Sequence, residues 1–212
     1  MKISIICSES NHPVNSWIHT WANNISERHE INIVTKSNQL TTGNILFLVS
    51  CHEIIDKETR DNFDYTLVLH ASNLPYGRGM SPHIWQIVEG KNRILLTLLD
   101  AEDKLDSGKI WKQKEIFFDG SELFDEINNK IFSSEIELMS WAIKNIYTSS
   151  PFEQVGEPTF YRKRTPEDSR IDIKKTIDEQ FNLLRVADPE RYPAFFERNG
   201  HTYKIKIEKI IK

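Results

Sequence analysis

The chain has little of several things, and each scarcity narrows what it can be. Its 212 residues include only two cysteines, Cys7 and Cys51. Both sit within or beside apolar runs, so a disulfide framework is not expected, and two reduced thiols fit a cytoplasmic protein. No apolar run approaches the roughly 20 residues needed to cross a bilayer, so no membrane association is expected. Basic residues are not in excess: the formal net charge is −4. That argues against a nucleic-acid partner bound through its phosphates. The opening "MKISIICSES" is too short for a signal peptide, has no small-residue cleavage site and soon meets Glu9 and His12. Glycine is also scarce, and the loop after the first apolar run, "SESNHPVNSW", has none. A Gly-rich phosphate cradle is therefore absent there.

What remains reads as an α/β protein. Lys2–Cys7, Glu30–Thr35, Asn44–Ser50 and Tyr65–His70 are short apolar, branched runs of the kind that form strands covered on both faces. Between them, Val14–Glu27 places Trp17, Ile18, Trp21 and Ile25 at helical spacing, and Glu53–Arg60 suits a short helix. Ser81–Glu89 has Pro82 at its first position and Gly90 just beyond its end, the usual order for a helix. Two further strands, Arg93–Leu99 and Ile110–Phe118, precede a helical stretch from Ser121 to Tyr147. The expected fold is a Rossmann-like, mostly parallel sheet with helices on both faces.

A composition shift near Thr148 divides a catalytic core, 1–150, from a C-terminal extension, 151–212. The extension begins as a proline-containing arm. It continues as a helix with Ile173, Ile177, Phe181 and Leu184 on one face, and ends in a hairpin over Ala194–Ile211 turning at Asn199-Gly200. In its second strand Ile205, Ile207 and Ile210 form the dry face, with Lys204, Lys206 and Lys209 wet. The sequence leaves open a homodimer built on this hairpin. Trp17, Trp21, Trp85 and Trp141 read as core, and His12, His19, His29 and His201 as surface.

The stretch "HASNLPYGRGMSPHIW", His70–Trp85, is the one that calls for a chemical explanation. In an open α/β sheet ligands sit beyond the C-terminal ends of the strands, and His70 ends a strand. A general acid or base belongs there, fixed by rigid backbone and close to neutral pKa. The stiff loop after it forms a wall, with Gly77 and Gly79 allowing backbone approach and Arg78 giving positive charge. Asp106, in "KLDSGKI", lies in a neighbouring loop where a carboxylate can orient His70 and help move protons. Taken singly, His70 is accounted for by a strand-end cap and Asp106 by an Asp-Ser-Gly turn. Cys51 and His52 make a poor metal site, because no third and fourth ligands cluster nearby.

Together, "HASNLPYGRGMSPHIW" and "LLTLLDAEDKLDSGKIWKQ" resemble the formyltransferases that use 10-formyltetrahydrofolate. The shared pattern is a His-x-Ser-x-Leu-Pro strand end, a Gly-containing loop before a Pro-x-x-Trp helix, and an Asp-x-Gly turn. "RKRTPEDSRID", "FNLLRV" and "YPAFF" extend the resemblance to members that formylate amino sugars. The resemblance implies that His70 and Asp106 are catalytic. It implies that the folate donor packs against Ser50, Cys51, His52, Glu53, Ile54 and Ile55 on one side and Leu99, Asp100, Ala101 and Asp103 on the other. Tyr76, Gly77, Arg78 and Gly79 are the candidate substrate contacts, for a small-molecule amino sugar or nucleotide-sugar. A transfer-RNA acceptor would ask for a basic surface and a further C-terminal domain, whereas this chain is acidic and short. One departure matters: the family pattern has an Asn, an oxyanion donor, where this chain has Val68. Losing such a donor costs about 10²–10³-fold in rate. Asn73 and His52 are the candidates to replace it. The alternatives are a formyltetrahydrofolate hydrolase and a folate- or sugar-binding protein without catalysis.

Overall fold

A computed structural model describes residues 1–210. Ile211, the predicted end of the hairpin, lies outside them. The central sheet has six strands: β1 (Lys2–Ile6), β2 (Glu30–Val34), β3 (Gly43–Leu48), β4 (Phe63–His70), β6 (Arg93–Asp100) and β7 (Ile110–Phe117). Their spatial order is β2-β1-β3-β4-β6-β7. The first four are parallel, whereas β6 runs antiparallel to β4 and β7 antiparallel to β6. The fold is thus the expected α/β architecture. Its last two strands form a hairpin because the connection 101–109 is too short for a helical crossover.

Helical cover is uneven. Helices α1 (Val14–Ile25), α3 (Pro82–Val88) and α4 (Phe124–Asn145) share one continuous core with Ile3, Ile45, Leu67 and Leu96. The opposite face carries a smaller cluster, Ile6, Leu46, Leu48, Ile55 and Phe63, beside the four-residue α2 (Lys57–Arg60). Each strand alternates between these clusters, so the residues at the strand ends meet where both faces come together. No described helix is long and apolar enough to cross a membrane.

The arm folds back onto the core instead of trailing from it. A two-residue strand β8 (Phe160–Tyr161) pairs with β5 (Arg78–Gly79), and Phe152 bridges to Ile110. Helix α5 (Ile177–Arg185) begins at Thr176, whose hydroxyl caps the Glu179 N–H. Ile173 therefore lies outside the helix, and both it and Ile177 are exposed, which corrects the expected apolar stripe. The hairpin β9 (Ala194–Arg198) and β10 (His201–Ile205) turns at Asn199-Gly200, both with positive φ. Ile205 and Ile207 pack as expected, but Ile210 lies beyond the strand and is exposed. Trp21 is core, whereas Trp85 stacks outward on Tyr161 beneath the Arg162 guanidinium. The arm supplies those partners, so helical periodicity alone misplaces this tryptophan.

Candidate active site

At the C-terminal ends of the parallel strands β1, β3 and β4, and against the loop that follows β6, lies a cavity of roughly 390 Å³. His70 and Asp106 face each other in its wall, Nδ1 to Oδ1 at 3.5 Å, with side chains only 7% and 5% exposed. Two further contacts fix this pair. The His70 Nε2 lies 2.9 Å from the Gly77 carbonyl, and Asp106 Oδ2 accepts the Gly79 N–H at 2.8 Å. Both ring nitrogens thus face acceptors. The neutral ring can donate to only one of them, and the imidazolium to both. A histidine held this way is aligned to stabilise developing negative charge and to exchange a proton with the carboxylate beside it.

The stiff loop also receives the C-terminal arm. Its glycines make room for the arm. A Cβ on Gly79 would stand 2.3 Å from the Tyr161 carbonyl oxygen, and one on Gly77 2.9 Å from the Tyr161 ring. Thr159 accepts the Gly77 N–H, and the Tyr161 carbonyl accepts that of Met80. Arg78 turns away from the cavity and donates to the Gln154 side-chain oxygen at 2.7 Å. Gln154 in turn donates to the Asp106 and Gly108 carbonyls at 2.9 and 2.8 Å. Arg78 therefore braces the Asp106 turn, which matters because Asp106 holds a positive φ of 51°. No local signal in the sequence marks Gln154. Tyr76 is exposed outside the cavity, so of the four expected substrate contacts only Gly79 lines it.

Val68 does face the cavity, which confirms that no side-chain donor stands at that point. Asn73 does not take its place. Its carboxamide oxygen accepts from Gln113 at 3.4 Å on the far side of the loop, and it is not part of the cavity wall. His52 lines the cavity, with Nδ1 3.8 Å from Glu9 Oε1.

The residues expected to hold the folate divide clearly. Ser50, Cys51, His52, Glu53 and Ile54 line one loop wall, and Asp100, Ala101, Glu102 and Leu105 the other. Leu48, Val68 and Ala101 give the space between them an apolar floor and side, while Ile54 and Leu105 stand exposed on opposite rims. A flat heteroaromatic group with an aromatic tail suits such a slot: apolar walls for the ring, loop backbone for its polar edge. Ile55 and Leu99 are buried in the core behind these walls, and Asp103 points outward to Arg60, so these three do not line it. Asp100 accepts the Trp111 indole N–H at 2.6 Å, and burial raises its pKa.

Several cavity residues escaped the sequence reading because they lie far apart in the chain. His12 is half-buried, not at the surface as expected; burial holds its pKa at about 4. His83, second in α3, is likewise held at about 4 by burial, with His12 and His70 adding repulsion. Helix α4 contributes Asn128, Ile131, Phe132 and Glu135, a helical stripe. Arg191 ties its own turn to the loop after β1 by bonding Asp188 at 2.8 Å and Glu9 at 2.7 Å. Among the described residues no group of three or more His, Cys, Asp or Glu is arranged to hold a metal ion.

Comparison with known proteins agrees with this geometry. The chain is 27% identical over 197 residues to a methionyl-tRNA formyltransferase of Fusobacterium nucleatum, covering 89% of this chain and 63% of that one. It spans about half to two thirds of the length of the curated relatives it matches. Among solved structures, a methionyl-tRNA formyltransferase from Clostridium thermocellum superposes with a TM-score of 0.85 at 21% identity, covering 100% of this chain and 94% of that one. HypX from Aquifex aeolicus in complex with tetrahydrofolic acid gives 0.81 at 18% identity, over 98% of this chain and 37% of that one. A sugar N-formyltransferase from a Shewanella species gives 0.75 at 14%, over 100% and 99%. At these identities the structures speak for the fold alone. The sequence profile of the formyl transferase family matches residues 5–143, well over half the chain and including His70 and Asp106; the chain belongs to the formyl transferase family.

Proposed function

We propose that the protein transfers a formyl group from 10-formyltetrahydrofolate to the primary amine of an amino sugar. The buried His70–Asp106 pair, 3.5 Å apart in the cavity wall, carries this reading. The acceptor amine attacks the formyl carbon, and negative charge develops on the formyl oxygen. His70 stabilises that charge, and Asp106 takes up the proton lost by the amine. The C–N bond to the donor then breaks, and the released nitrogen of tetrahydrofolate is reprotonated. The slot between residues 50–54 and 100–105 would hold the donor, with Ile54 and Leu105 flanking its tail.

A small acceptor is favoured over transfer RNA by the net charge of −4, which gives little to neutralise a phosphate backbone. A nucleotide-linked sugar is favoured over a free one. Lys163 and Arg164 line the cavity, neither paired with a carboxylate among the described residues, and burial lowers the Arg164 pKa. A diphosphate would satisfy both. The free thiols of Cys7 and Cys51 suit a cytoplasmic setting.

Val68 motivates a second reading, that the site binds without turnover or releases formate to water. One experiment separates the three. The purified protein is incubated with 10-formyltetrahydrofolate and a panel of amino sugars, free and nucleotide-linked, while tetrahydrofolate, formate and sugar mass are followed. The expected result is a one-formyl mass gain on a sugar, abolished in His70→Ala. Formate without sugar modification would identify a hydrolase, and folate binding without any product a binding protein.

A further inference from the structure

Two bonds from one residue of the arm converge on the loop after His70. Thr159 stands just before β8, which pairs in parallel with β5. Its carbonyl accepts the Arg78 N–H at 2.9 Å, and its Oγ1 accepts the Gly77 N–H at 2.8 Å. Thr159 thus holds the N–H of the peptide unit on each side of Gly77. The second of these units, between Gly77 and Arg78, is the one whose carbonyl meets the His70 Nε2 at 2.9 Å. A trans peptide points its N–H and its carbonyl in opposite directions. Held by Thr159 on one side, the unit aims its carbonyl at His70 on the other.

The loop by itself leaves this unit free to turn. Gly77 has a positive φ of 75° and no Cβ, so the unit meets little steric resistance on either side of a flip. Turned over, it would present the Arg78 N–H to His70 in place of the carbonyl. The difference reaches the ring. A carbonyl only accepts, so the Nε2 facing it carries the proton, whereas an N–H only donates and would ask for a bare Nε2. With the proton on Nε2, Nδ1 is left to share a further proton with Asp106 Oδ1, 3.5 Å away.

We propose that Thr159 is a positioning residue for His70: it orients the Gly77–Arg78 peptide and through it keeps the His70 proton on Nε2. This rests on the reading above, in which His70 takes part in the reaction, and adds a residue that stands outside the cavity wall. Thr159 also lies outside residues 5–143, the stretch matched by the formyl transferase profile. The arm thereby secures both members of the pair by separate bonds, Asp106 from Gln154 and His70 from Thr159. A hydrogen bond donated by a peptide N–H also polarises the carbonyl of the same unit, so orientation and acceptor strength act in one direction.

The test uses the full chain with two variants. Thr159→Val removes the hydroxyl and keeps a branched shape suited to an extended segment, and Thr159→Ser keeps the hydroxyl. Imidazole nitrogen NMR resonances of the seven histidines are recorded, those of His70 being the ones lost in His70→Ala. In wild type and Thr159→Ser the His70 Nε2 should appear protonated; in Thr159→Val its resonance should move toward the average of the two tautomers. Release of tetrahydrofolate from 10-formyltetrahydrofolate, with the amino-sugar panel present, is followed alongside. Thr159→Val should lower kcat roughly tenfold, the worth of one hydrogen bond, and leave the KM values unchanged. Thr159→Ser should stay within about threefold of wild type. An unmoved Nε2 resonance in Thr159→Val, even with a lowered melting temperature, overturns the proposal, and so does an unchanged kcat. A Thr159→Ser as altered as Thr159→Val also overturns it, since the effect would then belong to the lost methyl group. If wild type releases no tetrahydrofolate, or His70→Ala releases it as fast, the catalytic reading of His70 fails, while the spectra, which need no substrate, still decide whether Thr159 sets its tautomer.

Discussion

The buried carboxyl of Glu135 makes a prediction about stability that needs no substrate. A glutamic acid titrates near 4.5 when exposed, and burial here raises it to about 8. The folded state therefore keeps a proton that the unfolded chain gives up once pH passes about 4.5. The stability contributed by the neutral form is fully present below that value and is lost as pH rises through about 8. With a whole proton at stake the slope is about 1.4 kcal/mol per pH unit across the window. Glutamine is close to isosteric and does not titrate, so the difference between Glu135→Gln and wild type isolates this one group. In a domain of this size about 1 kcal/mol moves the melting temperature by roughly 2–4 °C. Between pH 5.5 and 7.5 the variant should therefore gain on wild type by several degrees, while the two melt together near pH 4.5. Differential scanning fluorimetry in constant-ionic-strength buffers is sufficient. A gap that does not change with pH between 5.5 and 7.5 would refute the argument, since the carboxyl would then titrate alike in folded and unfolded chains.

Other consequences follow from the site. Asp106→Asn keeps the bond to the Gly79 N–H but cannot take a proton, so kcat should fall by about 10²-fold or more with little change in melting temperature; steady-state formyl transfer reads this directly. Val68→Asn restores a carboxamide beside His70 and should raise the transfer rate roughly tenfold or more. A loss of about 1 kcal/mol should accompany it, as polar surface replaces apolar at a partly buried wall. Gly79→Ala drives a Cβ against the Tyr161 carbonyl at a φ of 104° and should detach the arm, seen as faster proteolysis between residues 150 and 165. Gln154→Ala removes the brace on the Asp106 turn and should lower kcat without changing donor affinity.

Local pattern made much of this protein legible. Alternating apolar runs announced every strand of the sheet, Pro82 and Gly90 bounded α3, and Asn199-Gly200 marked its hairpin, because each of these depends on residues adjacent in the chain. The His70 strand end and the Asp106 turn were legible for the same reason: each is a compact signal of a few residues, and their order is preserved along the chain.

What the chain order hid is everything that tertiary contact supplies. Arg78 carries a charge in the loop after His70, yet Gln154, from another segment, turns it into a brace. Gly77 and Gly79 invite a ligand until Tyr161 of the arm occupies the space they leave. Asn73 has the right chemistry for an oxyanion donor but the wrong side of the loop. Glu135 stood as an unremarked polar residue in a helical run, and only the meeting of α4 with the loop after β1 buries it, raises its pKa and turns it toward the cavity. Sequence by itself determined the strands and the turns, since those follow from short-range propensity and periodicity, and it singled out His70 and Asp106 through their resemblance to a family pattern. Burial and the partner each polar group finds were decided by the tertiary structure alone, because both are set by residues brought together from distant parts of the chain.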